Sequence, residues 1–330
     1  MIRFAVLGCG RIGRMHARNL ARHPRAQLVS VFDIVAKSAA DTAAELGVTA
    51  AATVEEVLAD SRVQAVLIAT STDTHVPLIT AAAKAGKAVL CEKPIDLDLK
   101  RAEACGAEIA PLKATVMIGF NRRFDPSFRS IHQRLHAGEI GTLEQLIITS
   151  RDPAPPPVAY IKVSGGIFRD MTIHDFDLAR YLAGDIESVY ATGGNLVDPE
   201  IKEAGDIDVA MVVLRAKSGA LIHINNSRRC AYGYDQRVEA FGAAGMLQAQ
   251  NRFATSVQFW GKHGTGLRDT AQPFFIERYA EAYAAEVDHF VDSVLTGKPP
   301  IASFTDGVAA LKLAEAAGES LKTGRAVSLG

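Results

Sequence analysis

"RFAVLGCGRIG", residues 3–13, decides how the chain is read. A β-branched apolar run ends at Gly8, and a helical pattern opens just past it, so the glycines at 8, 10 and 13 sit at a strand-to-helix turn. Each has a mechanical task in the G-x-G-x-x-G arrangement. Gly8 permits the tight turn, Gly10 lets backbone approach a pyrophosphate, and Gly13 allows the helix to pack closely on the strand. Arg11 and Ile12 complete the loop at the helix start, where oriented N–H groups attract an anion. Asp33 ends the next apolar run, 20 residues beyond Gly13. That position suits a carboxylate accepting from the adenosine ribose hydroxyls and repelling a 2′-phosphate, so NAD is expected rather than NADP. Lys37 lies close by and leaves room for residual NADP use.

Working outward, the first 120 or so residues alternate short β-branched runs with alanine-rich helical stretches, the pattern of βαβ units on a parallel sheet. Strands are expected over 3–8, 27–33, 65–70, 87–92 and 114–120. The expected helices run over 12–23, 36–46, 54–59, 75–85 and 97–109. Beyond "FDPSF", where Asp125 and Pro126 suit a helix N-cap and first position, strands follow one another directly. Apolar and polar residues alternate in "LEQLIITS", "SVYATGGN", "DVAMVVLR", "ALIHINNS", "DQRVEAFG" and "SVQFWG", as in half-exposed antiparallel strands. "PAPPP" (153–157) reads as a rigid loop leaving that sheet. Two helices, 278–296 and 304–322, close the chain. The fold class is therefore α/β: a doubly wound parallel sheet over residues 1–122, then an α+β domain over 123–330 with a large open, mostly antiparallel sheet.

Composition narrows the function. The chain has 330 residues, 48% of them hydrophobic, enough for two cores. Its 36 Lys+Arg against 37 Asp+Glu leave a net charge of -1, so no broad field recruits nucleic acid or an anionic membrane. A small-molecule partner fits better. Cys9, Cys91, Cys105 and Cys230 form no C-x-x-C pair, which argues against a zinc or disulfide framework and for a reducing cytoplasm. The opening apolar run is too short for a signal peptide or membrane span.

Two further clusters carry chemistry. "VLCEKP" puts Glu92, Lys93 and Pro94 past the end of a parallel strand, the sheet edge where open α/β folds bind ligands. "ATSTDTH" (69–75) ends the preceding strand in small hydroxyl residues. Ser71, Thr72 and His75 there suit a cofactor groove, while Thr72 or Asp73 could also cap the next helix. Farther on, "GGIFRDMTIHDFDLARYL" (165–182) spaces Asp170 and His174 four apart. On a single helix Asp170, His174, Asp177 and Tyr181 would share a line about 60° wide. The spacing admits three readings. A surface ion pair would contribute about 0.3–0.5 kcal/mol. A metal site lacks a complete ligand set, since His174 with Asp170 or Asp177 supplies at most three donors, so no metal is expected. In the third, Asp170 orients His174, which removes a proton from an alcohol. Gly165 and Gly166 would let backbone approach a ligand.

Taken together, "GCGRIG", "CEKP", "GFNRRFDPSF" and "GGIFRDMTIHDFDLARYL" resemble the Gfo/Idh/MocA oxidoreductase family, most closely its members that oxidise inositols. The likeness runs from the first strand to the last helix. It implies a Rossmann domain binding NAD, followed by an open sheet whose outer face builds a homotetramer. It implies the catalytic set Lys93, Asp170 and His174. His174 would be the base and Asp170 its tuning partner, while Lys93 would bond the reacting oxygen and align the nicotinamide. Asn121, Arg122, Asp152, Thr172 and Tyr234 match substrate-side positions. Asp152 departs from relatives that carry asparagine after a His-Arg pair, and a carboxylate accepts bonds that an amide donates. The implied reaction is oxidation of myo-inositol at its axial hydroxyl to the 2-keto product. Alternatives are a scyllo- or chiro-inositol, an aldose or related sugar, or a sugar-sensing regulator without turnover. Asp177 and Tyr181 are expected to support the helix.

Overall fold

A computed structural model describes all 330 residues, Met1–Gly330. The first sheet has six parallel strands: β1 Ile2–Leu7, β2 Ala26–Phe32, β3 Thr49–Ala50, β4 Ala65–Ile68, β5 Ala88–Cys91 and β6 Val116–Ile118. Their spatial order is β3-β2-β1-β4-β5-β6, the doubly wound order of dinucleotide-binding sheets. All five expected strands form, with ends moved by at most two residues. The exposed two-residue β3 is additional, because two residues leave no period to read. Between the strands run helices Arg11–Arg22, Ala36–Leu46, Val54–Ala59, His75–Lys84 and Leu99–Ile109, which cover the apolar strands. Phe4, Val6, Leu7, Val66, Leu67 and Leu90 are almost wholly buried, as strands sandwiched between helix layers must be.

Two compact units divide the chain: Met1–Phe124 with Glu281–Leu311, and Asp125–Ala280 with Lys312–Gly330. A single cut at 122/123 therefore describes the chain incompletely, since residues 281–311 return to the first unit. Side chains from that return explain it. Phe290 lies 6.0 Å from Phe4 of β1, ring to ring. Arg25 pairs with Asp288 and Asp292. Sequence separation hides such contacts from any local pattern.

The large sheet of the second unit has seven strands: β7 Leu143–Arg151, β8 Ile186–Gly194, β9 Val209–Ala216, β10 Leu221–Ser227, β11 Asp235–Gly242, β12 Gly245–Ala249 and β15 Val327–Ser328. Their order is β12-β11-β7-β10-β9-β8-β15. Every neighbouring pair is antiparallel except β7 with β10. "SVQFWG" does not join this sheet: β13 Gln258–Gly261 pairs with β14 Gly264–Arg268 as a separate hairpin. The inner face, including Leu146, Ile148, Val212, Leu214, Ile222 and Ile224, is buried. Helix Ile173–Ala183 packs against β7, with Ile173, Phe176, Leu178 and Leu182 buried. The proline stretch leads into a short helix, Val158–Ser164, that starts from Pro157.

Asp125 caps helix Pro126–His136, its Oδ1 accepting from the backbone N–H groups of Ser127 (3.0 Å) and Phe128 (3.1 Å). Its other oxygen accepts from the wholly buried guanidinium of Arg278, which also lies over the Tyr279 ring. One aspartate thus anchors a helix start to a distant part of its unit.

Candidate active site

A parallel sheet delivers all its carboxyl ends to one edge. The glycine loop follows β1, Asp33 follows β2, Ser71 and Thr72 follow β4, Glu92 and Lys93 follow β5, and Asn121 and Arg122 follow β6. Residues scattered over 115 positions are thereby brought to one rim.

The loop meets the demands of a dinucleotide. Gly8 has φ +98°, and a Cβ there would sit 2.4 Å from the Ala69 carbonyl oxygen. A Cβ on Gly13 would sit 1.8 Å from the Gly8 oxygen, so no side chain fits either position. A Cβ on Gly10 would meet no atom within 4 Å, which leaves the backbone there open to approach. No side chain caps helix Arg11–Arg22, so its first N–H groups are available to an anion. Asp33 is held by the loop itself: Oδ2 accepts from the Cys9 N–H at 2.6 Å and Oδ1 from that of Val35 at 2.8 Å. Each carboxylate oxygen keeps a further lone pair for ribose hydroxyls. This donor set fits NAD. Burial pushes the Cys9 thiol up and the Cys91 thiol well up, so neither supplies a thiolate here.

His75 lies beneath the rim. It is 1% exposed, with Nδ1 2.7 Å from the Pro94 oxygen and Nε2 3.2 Å from the Thr70 oxygen. Burial lowers its pKa against the pull of those two carbonyls, and the neutral ring, with one N–H to donate, gives it to the nearer Pro94 oxygen and so holds the Glu92–Lys93–Pro94 turn. Neither Thr72 nor Asp73 caps the next helix as expected. A short 3₁₀ turn, Thr72–Thr74, intervenes, and the Thr74 hydroxyl donates to the Ser71 oxygen at 2.7 Å. Lys93 is half-buried, while Asn121 and Arg122 are buried.

In the second unit the remaining residues gather at one sheet edge. Asp152 follows β7, Tyr234 precedes β11, and Asp235 pairs with Arg151 across the ladder. Thr172 joins them by donating its hydroxyl proton to Asn226 Oδ1 of β10 at 2.7 Å. Asn226 Nδ2 donates in turn to Asp175 Oδ2 at 2.8 Å. Thr172, Asp175 and Asn226 are all buried. Tyr234 is also buried, its ring edge-on to Phe274 and Tyr279.

The polar line over 170–181 needs correction. The segment is two helices, Ile167–Asp170 and Ile173–Ala183, broken at Met171 and Thr172. The Thr172–Asn226–Asp175 chain fastens the break to β10, so one helical wheel does not describe Asp170 and His174. Asp170 accepts from the Tyr160 hydroxyl at 2.9 Å and from Arg228 Nη1 at 3.2 Å. Arg228 is fully buried and also contacts Asp206 at 3.4 Å. The close approach at Gly166 is to protein: a Cβ there would lie 2.8 Å from Asp206 Oδ1, which accepts from the Ile167 N–H. Asp177 is buried, and Tyr181 stacks on His132 at 3.8 Å, which accords with a supporting role.

Tyr160, Arg228, Asp206 and Asn226 were not singled out from sequence. For two of them a signal exists. The period of β10 carries Ile222, Ile224, Asn226 and Arg228 to the same inward side, and two polar residues on a buried face demand partners.

The residues at both edges define an oxidoreductase that binds a dinucleotide, and the comparisons agree. A model described as the oxidoreductase family with an NAD-binding Rossmann fold matches residues 2–120, and the GFO/IDH/MocA C-terminal domain matches residues 128–248. The chain belongs to the Gfo/Idh/MocA oxidoreductase family. It is 46% identical over 329 residues to an inositol 2-dehydrogenase of Rhizobium meliloti, covering 99% of each chain. A myo-inositol dehydrogenase structure from Corynebacterium glutamicum superposes with a TM-score of 0.97 at 48% identity, covering 100% of this chain and 99% of that one. A scyllo-inositol dehydrogenase from Lactobacillus casei, solved with NAD(H) and scyllo-inositol, gives 0.92 at 30% identity over 99% of both chains.

Proposed function

We propose that this oxidoreductase oxidises myo-inositol with NAD, converting the axial secondary hydroxyl to a ketone. The observation carrying this reading is the built carboxylate: Tyr160 and the buried Arg228 orient Asp170 just ahead of the helix that bears His174, and an oriented carboxylate is suited to support an imidazole base for an alcohol proton. His174 takes the hydroxyl proton, Asp170 steadies the resulting charge, and Lys93 donates to the reacting oxygen. NAD held at the glycine loop would supply the hydride acceptor. Asn121, Arg122, Asp152, Thr172 and Tyr234 serve the ring hydroxyls. At the cofactor edge Gly8, Gly10, Arg11, Ile12 and Gly13 would hold the pyrophosphate and Asp33 the ribose, with Ser71, Thr72 and Glu92 completing the rim and the buried His75 supporting it from beneath. Inositol as substrate is supported by the relative's name at 46% identity over nearly the whole chain.

A panel of myo-, scyllo- and chiro-inositol and aldoses, run with NAD and NADP separately, tests the reading by NADH absorbance. No NADH with any inositol defeats it. A higher kcat/KM for scyllo-inositol would support a second reading, to which the Lactobacillus casei likeness points.

The same proposal includes a homotetramer built on the outer face of the second sheet. Tyr190, Met211, Val213, Leu221, Phe241 and Met246 are each at least 41% exposed, and ladder register places them on one side. Light scattering of the purified protein reads the mass directly. No helix is long and apolar enough to cross a membrane. A cytoplasmic location fits the four buried cysteines, none of them bridged.

A further inference from the structure

One cluster in the first unit is left unused by the reaction just described. His16 of helix Arg11–Arg22, Glu92 and Glu286 of helix Ala280–Thr296 place one polar atom each within 4.8 Å of one another. His16 Nε2 lies 2.9 Å from Glu92 Oε1. Glu286 is 0% exposed, and both its carboxylate oxygens are buried with no hydrogen-bond partner. Gly119 matters here: a Cβ on it would come within 3.1 Å of the Glu92 carboxylate, so glycine lets that side chain lie flat against β6 and face the cluster. Tyr283 closes the remaining side, its ring edge-on to His16 at 5.5 Å.

We propose that Glu286 is a positioning residue for the dehydrogenase reaction, donating a hydrogen bond from its carboxyl O–H to Glu92 and so holding the Glu92–Lys93–Pro94 turn from behind, with His16 as the second donor. Two carboxyl groups this close, Glu286 wholly buried and Glu92 largely so, cannot both be ionised. The proton belongs on the member with no other partner. Glu92 already accepts from His16, whereas burial first and the Glu92 charge second drive the Glu286 pKa well above the carboxylate range. The terminal torsion of a glutamate is broad, so the acid can turn its O–H toward Glu92. Glu92 precedes Lys93 directly, and His75 grips Pro94 from the other side. The catalytic lysine is thereby braced on both flanks by neutral, buried donors.

The role in turnover rests on the function proposed above, and the experiment separates the two. Infrared difference spectra at neutral pH between wild type and Glu286→Gln should show a protonated carboxyl C=O band, shifted in D₂O, that the variant lacks. No substrate is needed for that measurement. In steady-state assays Glu286→Gln, which keeps a donor, should stay within about threefold of wild-type kcat, while Glu286→Met, which fills the space without donating, should lose at least about tenfold in kcat with little change in NAD affinity. If Glu286→Met does not fold, Glu286→Asp takes its place, since it withdraws the acid by one methylene and should show the same loss. Absence of the band, wild-type kcat in the non-donating variant, or stoichiometric metal bound by wild type and lost in Glu286→Gln would each overturn the proposal. If wild type oxidises no inositol while the band is present, the substrate reading falls and the proton on Glu286 stands.

Discussion

Arg228 Nη1 lies 3.2 Å from Asp170 Oδ2, and the guanidinium making that contact has no exposure to solvent. Its other end reaches Asp206 at 3.4 Å. A buried cation between two carboxylates is held by all three charges together, so removing it leaves two uncompensated anions. Arg228→Met should destabilise the second unit by about 3–5 kcal/mol, measured by chemical denaturation. Tyr160→Phe removes only the second donor to Asp170 and should cost about 0.5–1.5 kcal/mol, with a several-fold fall in kcat.

Lys93→Met and His174→Ala test the chemistry itself. Each should lower kcat by about 10²–10⁴-fold, the usual span for loss of a positioned proton-transfer group. His174→Ala should keep its affinity for NADH, followed by fluorescence titration. Unchanged turnover in either variant would remove that residue from the proposed roles.

Asp33 serves two ends at once, holding the Cys9 and Val35 N–H groups while presenting lone pairs to a ribose. Asp33→Ala should raise KM for NAD by about tenfold or more with a smaller effect on kcat, because the lost interaction belongs to binding. Removal of the negative charge should also narrow the preference for NAD over NADP. Paired kinetics with the two cofactors measure both effects.

The Arg278–Asp125 pair is wholly buried. Arg278→Met strands a carboxylate that also caps helix Pro126–His136, and should cost about 3–5 kcal/mol in thermal or urea unfolding. Asp125→Asn keeps the cap oxygen and should cost less.

Glu286 makes stability depend on pH in a defined direction. Burial, then the Glu92 charge, raises its folded-state pKa, so the native protein keeps a proton that the unfolded chain gives up above the ordinary carboxyl range. Native stability therefore declines as pH rises through that window, by up to about 1.4 kcal/mol per pH unit from this one group. The groups facing it are His16, Glu92 and Tyr283. Glu286→Gln carries no titrating proton. Its stability relative to wild type should accordingly improve as pH rises above the ordinary carboxyl range, read from paired melting curves.

Local pattern carried most of the fold. A strand buried between helix layers must be apolar throughout, and a half-exposed strand must alternate, so both sheets and their helices are legible from periods of 2 and 3.6. Gly8, Gly10 and Gly13 were legible for a stricter reason, since no side chain fits at two of them and the third must leave backbone open. The residues of the proposed site were legible where one closes a strand or belongs to a motif, as with Asp33, Lys93, Asp170 and His174. What only the tertiary structure decided are the partners. Tyr160 and Arg228 meet Asp170 across 10 and 58 positions, and Glu286 faces His16 and Glu92 across far more. The break at Met171–Thr172 is likewise fastened by a residue distant in sequence, Asn226, which accepts from the Thr172 hydroxyl. Periodicity reports which face of an element is buried. Which charge waits on the other side of that burial is fixed by packing between elements, and a one-dimensional pattern holds no record of it.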